Sequence, residues 1–357
     1  MVEQGGLISV VVPAYNAAEF IGEALKSVRD QTYRPIEVVV VNDGSTDSTA
    51  AMVEAFAAEY SDASFAVRRV DVGVNKGVAN ALFTGFSKAS GDFVCWLSAD
   101  DSCVDKDKIK LQFDQMKAEN AMWSCYRDYL VGPSPRNAKL KKPLFPLSLP
   151  LLKGMFANNA SFRLMFLLFR NPINGSTVMV SKECIDQLGQ FDPARRNYDS
   201  DGDVWLRYSA LGGKLVLLKG APVLYREHGG QASHKIEATT YDANLTGLRV
   251  LKAIERRGLL PGLINDFLMW FPFVLRPDVY RYRSMVVEHM FTYVLAHPDN
   301  FNRTVRWYAR RCLRKLTAVK EPIKMDRDRL LADVDVYSQS DAFKDFEKKL
   351  MEKAQIK

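Results

Sequence analysis

Cysteine and histidine are scarce in this 357-residue sequence, with five and four of them respectively. Cys95, Cys103, Cys125, Cys184 and Cys312 show no CxxC or Cys/His metal spacing, and their odd number argues against a disulfide framework. They are expected to be reduced and structural. His228, His234, His289 and His297 stand beside no GxSxG serine, which speaks against a hydrolase triad. There is no GxxxxGK[ST], and no GxGxxG lies between a strand and a helix, because Gly5-Gly6 precedes the first apolar run. A dinucleotide-dependent oxidoreductase is therefore poorly supported. No stretch approaches the ~20 apolar residues that span a bilayer; Pro272 breaks the longest, Leu268 to Leu275. The first apolar run, Leu7 to Val12, ends at Pro13 with no basic segment before it, so no signal peptide is read and a cytoplasmic location is expected.

What is present has the composition of an ordinary globular chain, 47% hydrophobic and 25% charged, long enough for about two domains. The net charge of +7 makes an anionic partner plausible without choosing one. Short β-branched runs at Leu7–Val12, Ile36–Val41 and Phe93–Leu97 read as buried strands, with another at Phe65–Val70. Helical spacing lies between them, in Ala17, Ile21, Ala24, Leu25 and Val28, in Ala50, Val53, Phe56 and Ala57, and in Val78, Leu82, Phe86 and Ala89. This alternation predicts a wound α/β fold with a mainly parallel sheet, and ligands at the carboxyl ends of its strands. Further on, a helix is predicted over Asp107–Asn120, a strand over Met122–Leu130, and an irregular insertion or lid over 132–172, where prolines crowd. Strands at Ser176–Ser181, Lys214–Leu218 and Val223–Arg226 and a helix at Asp203–Leu211 complete a domain of residues 1–235. Helices including Leu245–Arg256, Tyr280–Ala296 and Arg303–Leu316 make a helical region of residues 236–357.

Four constellations carry chemistry. Pro13-Ala14-Tyr15-Asn16 and Asn42-Asp43-Gly44-Ser45-Thr46-Asp47 follow the first two strands; Tyr15 offers a face for a base to stack on, and Asp43 an acceptor for a heterocycle N–H or ribose hydroxyl. Ordinary turns that cap the next helix remain the alternative. Ser98-Ala99-Asp100-Asp101 follows a buried strand, where a carboxylate suits a divalent cation bridging to a diphosphate, or else a solvated turn. Asp199, Asp201 and Asp203 crowd one helix start, more acids than the macrodipole calls for. Tyr225-Arg226-Glu227-His228, with Ser233 downstream, holds a histidine that is either a ligand or a structural residue.

Taken in order, these segments resemble the family 2 glycosyltransferases over about residues 7–235. The likeness runs through Ile8-Ser9-Val10-Val11-Val12-Pro13-Ala14-Tyr15-Asn16, Ser27–Thr32 and Val39–Asp47. It continues through Asn75, Gly77, Gly85, Ser90-Gly91-Asp92-Phe93, Asp100-Asp101, Leu188–Asp192, Asp201–Arg207 and Tyr225–His228. The resemblance implies a GT-A fold and inverting transfer from a nucleoside diphosphate sugar, a UDP-sugar by expectation. The acceptor would be a hydroxyl of a glycan or lipid-linked molecule in bacterial envelope polysaccharide synthesis. By the same resemblance, Pro13, Ala14, Tyr15 and Asp43 hold the nucleoside, Asp100 and His228 lie at a Mn²⁺ or Mg²⁺ ion, and Asp201 is the general base. Two positions depart from the pattern. Ser98 replaces the first aspartate of the metal-binding DxD element, and Leu82 stands where an arginine is frequent, leaving Lys76 as a candidate substitute. These departures keep open a catalytically weak nucleotide-sugar binding subunit; a nucleotidyltransferase would need a basic glycine-rich signature that is missing.

In the C-terminal region Arg303, Arg306, Arg310 and Arg314 share a helical stripe near Trp307. It suits an anionic membrane or acidic glycan, and equally a solvated face. No nucleic-acid partner is expected.

Overall fold

A computed structural model of the chain describes residues 6–142, 150–195, 199–229, 231, 235–267, 282–318 and 325–355. Pro143, Pro146, Ser233, His234, Leu268–Leu275 and Tyr280 lie outside them. The chain divides into two compact units, one of Met1–Phe145, Ile173–Arg196 and Gly213–Gln231, the other of Pro146–Pro172, Asn197–Gly212 and Ala232–Lys357.

In the first unit, β1 (Ile8–Ala14), β2 (Ile36–Asn42) and β3 (Phe65–Asp71) lie side by side in parallel, joined through α1 (Ile21–Arg29) and α2 (Thr49–Tyr60). α3 (Val78–Lys88) returns the chain to β4 (Phe93–Trp96), which pairs in parallel with the other edge of β1. All of β2 and all but Pro13 of β1 are buried, which accounts for their nearly uninterrupted Val and Ile content. α4 (Lys108–Glu119) precedes β6 (Trp123–Tyr126), and α7 (Lys182–Leu188) follows β9 (Val178–Ser181). With β10 (Leu215–Leu218), these strands complete a seven-stranded sheet of order β10-β6-β9-β4-β1-β2-β3, in which β9 is antiparallel to both neighbours.

A second sheet of order β5-β11-β7-β8 contains β5 (Ser102–Cys103), β7 (Tyr129–Gly132), β8 (Lys139–Lys141) and β11 (Val223–Arg226). The single strand predicted over Met122–Leu130 is therefore two, one in each sheet. The break falls at Arg127-Asp128, where the buried Asp128 carboxylate pairs with its neighbour's guanidinium at 2.6 Å and the Arg127 N–H donates to Leu218. Apolar patterning marks strands but not the sheet each one joins.

α3 presses tightly on the sheet. A Cβ added at Gly85 would lie 2.2 Å from Val11 Cγ1 and 3.1 Å from Val41 Cγ2. Gly85→Ala should therefore cost roughly 1–3 kcal/mol through overpacking; an unchanged melting temperature would show that the helix can lift without penalty.

The second unit is helical throughout its described residues: α5 (Pro150–Asn158), α6 (Ala160–Phe169), α8 (Ser200–Ala210), α9 (Ile236–Arg256), α10 (Leu260–Phe267), α11 (Ser284–Ala296), α12 (Arg303–Thr317), α13 (Arg327–Tyr337) and α14 (Asp341–Gln355). α5 and α6 correct the expectation of irregular chain across 132–172. Pro150 is the first residue of α5, where its missing N–H costs nothing, and the Asn159 side chain caps α6 by accepting from Phe162 N–H at 2.8 Å. Residues Phe162–Phe169 are all buried, including Arg163, which donates to Ser209 on α8 and to the carbonyls of Phe156 and Ala157. Segments 146–172 and 197–212 thus group with the C-terminal helices, whereas the sequence placed them in the domain of residues 1–235. Among the described residues no helix is long and apolar enough to cross a membrane.

Candidate active site

The loops after β1 and β2 are laced together. The Asp43 N–H donates to the Ala14 carbonyl at 2.9 Å, and Asn16, in the left-handed region at φ +46°, accepts from Thr46 N–H at 2.8 Å while its own N–H donates to Ser45 Oγ. Asp47 accepts from Ala18 N–H and from Thr49, whose hydroxyl also takes the Ala17 N–H. These bonds fix the backbone on both sides of Tyr15 while leaving its side chain 51% exposed. A rigid loop thus presents a flat aromatic face at the carboxyl edge of the sheet.

Asp43 has a second task that spacing did not reveal. It is 3% exposed, and its two carboxylate oxygens accept the N–H groups of Lys76 and Gly77 at 2.9 and 2.8 Å. Gly77 (φ +92°) leads directly into α3, so Asp43 joins the β2 loop to the start of that helix. Gly44 (φ +76°) lets this approach happen, since a Cβ there would lie 2.7 Å from Asn75 N. The Lys76 side chain is exposed. Leu82 is wholly buried in α3, so the position that often carries an arginine in the family belongs to the core here.

The turn after β4 brings Asp100 to His228, with Asp100 Oδ2 and His228 Nε2 3.0 Å apart and both side chains partly exposed. Asp101 faces inward: it is 2% exposed and accepts from Ser176 Oγ at 2.5 Å and from Arg226 N–H at 3.2 Å. Burial, reinforced by the charge of Asp100, pushes its carboxyl up to about 8. Asp101 therefore builds the turn that Asp100 caps.

Sequence reasoning assigned no role to three residues that hold this turn. Arg226 donates to the Asp100 carbonyl at 3.0 Å and to the Pro133 carbonyl at 2.7 Å, and it pairs with Glu23 at 2.7 Å. Phe20 packs against His228 with ring centroids 4.7 Å apart and the ring planes tilted by 36°. Ser176 Oγ also takes the Ser98 N–H at 3.0 Å, so the residue in place of the usual DxD aspartate contributes backbone to the turn. An arginine at the end of a short apolar run, two residues before a histidine, was the signal available for Arg226.

The acid cluster of α8 lies in the second unit and sorts into three environments. Asp199 pairs with the buried Arg283 at 3.3 Å. Asp203 takes Arg207 on one oxygen at 2.9 Å and Arg249 on the other at 2.7 Å, with all three side chains within 1% of complete burial. Asp201 forms no ion pair among the described residues; it accepts from Gly202 N–H at 2.8 Å and is hydrogen-bonded to Asn171. Burial first, and the neighbouring Asp199 charge second, push its carboxyl up to about 7. The arginines go to its neighbours, and Asp201 is left as the acid whose proton exchanges near neutrality.

Pro13, Ala14, Tyr15, Asp43, Lys76, Asp100 and His228 all belong to the sheet unit, the first three at the end of β1 and Asp100 after β4, while Asp201 belongs to the helical unit. The metal donors that converge are one carboxylate and one imidazole; among the described residues no group of three or more acidic, histidine or cysteine side chains is arranged around one ion.

The family model "Glycosyl transferase family 2" matches residues 9–170. An uncharacterized glycosyltransferase of Rickettsia bellii is 30% identical over 242 residues, covering 67% of this chain and 32% of the relative. One from Haemophilus influenzae is 29% identical over 276 residues, covering 71% and 79%. The chain spans only about a third to three-fifths of the length of the rickettsial relatives it matches. In fold, it is similar to S. aureus TarS residues 1–349, solved in complex with UDP-GlcNAc, at a TM-score of 0.53 and 15% identity over 93% of this chain and 91% of that one. The sheet order, the laced loops at the strand ends and the sequence match agree: residues 9–170 are a family 2 glycosyltransferase domain on a GT-A fold.

Proposed function

We propose that the protein transfers a sugar with inversion from a nucleoside diphosphate sugar, most simply a UDP-sugar, to a hydroxyl of a glycan or lipid-linked acceptor in a bacterial envelope polysaccharide. The observation that carries this reading is the sorting of acids on α8, which among the described residues leaves Asp201 without an arginine and with its carboxyl raised to about 7. A group poised there takes the acceptor's hydroxyl proton as that oxygen bonds to the anomeric carbon; the bond from carbon to the diphosphate oxygen breaks on the opposite face. Tyr15 supports nucleoside stacking by its exposure, and Lys76 offers an exposed cation to the diphosphate. Pro13 and Ala14 shape the floor. Asp43 acts on the nucleoside edge with its remaining lone pairs, held in place by the N–H groups of Lys76 and Gly77.

Asp100 and His228 fit a divalent cation. A hard carboxylate oxygen and an imidazole nitrogen, 3.0 Å apart and partly exposed, suit Mn²⁺ and leave coordination positions for donor oxygens and water. Mg²⁺ asks more strictly for oxygen. When bound, the ion would supply Lewis-acid stabilisation of the leaving diphosphate.

Calorimetry of UDP with and without Mn²⁺ tests the site. Asp100→Ala should remove the Mn²⁺-linked part of UDP affinity, roughly 10–100-fold, and His228→Ala should remove a smaller share. Equal metal-linked binding by the wild type and the Asp100 variant would refute the assignment. UDP-sugar binding without any turnover, across acceptors, would favour the binding-subunit reading that Ser98 and Leu82 raise.

A further inference from the structure

We propose that α12 is a docking surface for anionic lipid headgroups, which holds the enzyme on a membrane surface without any inserted segment. The helix starts from an Asn302 cap, whose side chain accepts from Val305 N–H at 3.0 Å, and its sequence contains no acidic residue. Val305, Ala309 and Cys312 are buried and tie one face to the protein. The opposite face carries Arg303, Arg310, Arg311, Arg314 and Lys315, all exposed. At 100° per residue these five cations and Trp307 fall within about 140° of arc, along about 18 Å of helix. Arg306, which the sequence placed in the stripe, is half-buried and donates to the Pro298 carbonyl, and Arg311 and Lys315 take its place.

Two observations separate this face from an ordinary solvated one. Its five cations form no ion pair among the described residues, and no acid on the helix offsets them. Trp307 lies in the middle of the charge, 50% exposed, with the Arg311 guanidinium 5.5 Å from its ring centroid. Concentrated charge of one sign draws a face toward anionic lipid, and an indole among the charges prefers the headgroup level. Because the apolar face of α12 is already buried in the protein, the helix rests on the surface and does not sink into it.

Sedimentation of the full chain with phosphatidylserine–phosphatidylcholine vesicles tests the proposal. The wild type should pellet at low salt, not with phosphatidylcholine alone, and should be released as salt rises. Each charge near such a surface is worth about fivefold in affinity, so glutamine at Arg303, Arg310, Arg311 and Arg314 should lower partitioning by ~10²-fold or more. Glutamine at Lys88, Lys117, Lys142 and Lys348 removes the same net charge from exposed sites elsewhere and should lower it far less. Trp307→Ala should weaken the binding that survives at higher salt. Equal losses from the two quadruple variants would reduce the effect to net charge and overturn the proposal. So would absence of wild-type pelleting, or equal capture by heparin or duplex DNA at matched anionic charge.

Discussion

Asp201→Asn should fold normally, bind a UDP-sugar as the wild type does, and lose transfer by roughly 10²–10⁴-fold, because the amide keeps the size of the side chain but cannot accept the proton. The pH dependence makes the test sharper. With the Asp201 carboxyl raised to about 7, wild-type kcat/KM should climb across neutrality as the base loses its own proton, and the Asn variant should lose that acid limb. Stability should move the other way. A carboxyl that titrates higher when folded than when unfolded holds its proton more tightly in the native state. Its contribution is fully present below the unfolded value and disappears as pH rises through about 7. Asparagine carries no charge to bury, so above pH 7 the variant should be at least as stable as the wild type. A variant that turns over normally, or one that is inactive because it melts early, removes Asp201 from the role of base.

The sheet and its strand ends were legible because they rest on local signals. Val10–Val12 and Val38–Val41 are buried on both faces, so they read as unbroken apolar runs, and Tyr15, Asp43 and Asp100 could be placed at carboxyl strand ends by position alone. What stayed hidden depended on partners distant in sequence. Asp203 and Arg249 are 46 residues apart, Asp199 and Arg283 are 84, and His228 reaches Asp100 across 128. Three acids near a helix start signalled an excess over capping, but only the placement of the arginines shows which acid has no ion pair among the described residues. α5 and α6 were obscured for another reason. Proline density reads as irregularity, yet Pro150 marks where a helix begins. Asp43 held a role that no spacing rule supplies, because its acceptors face two backbone N–H groups that become neighbours only when the chain turns at Gly44 and Gly77.

Two residues along the same helix, the expected outcome changes from rate to stability. Asp203→Ala should destabilise the protein by roughly 3–5 kcal/mol, since it removes the carboxylate shared by two guanidinium groups, Arg207 and Arg249, that are at most 1% exposed. Arg249 would keep the Tyr337 carbonyl at 2.8 Å and its place over the Phe343 ring at 4.2 Å, but neither neutralises its charge. The physical cause is the negative charge taken out of a buried cluster and not lost volume, which a second variant separates. Replacing Asp203, Arg207 and Arg249 together by leucine and two methionines removes every charge while keeping apolar bulk, and should recover most of the loss. Urea midpoints measured at constant slope give the comparison. If the single and triple variants fell equally, shape and hydrogen bonding would outweigh charge in this cluster. If Asp203→Ala cost less than about 1 kcal/mol, the pairing would be no stronger than an exposed one. Asp201→Asn, on the same turn of α8, should leave these midpoints unlowered, so that one helix separates the acid that works from the acid that holds.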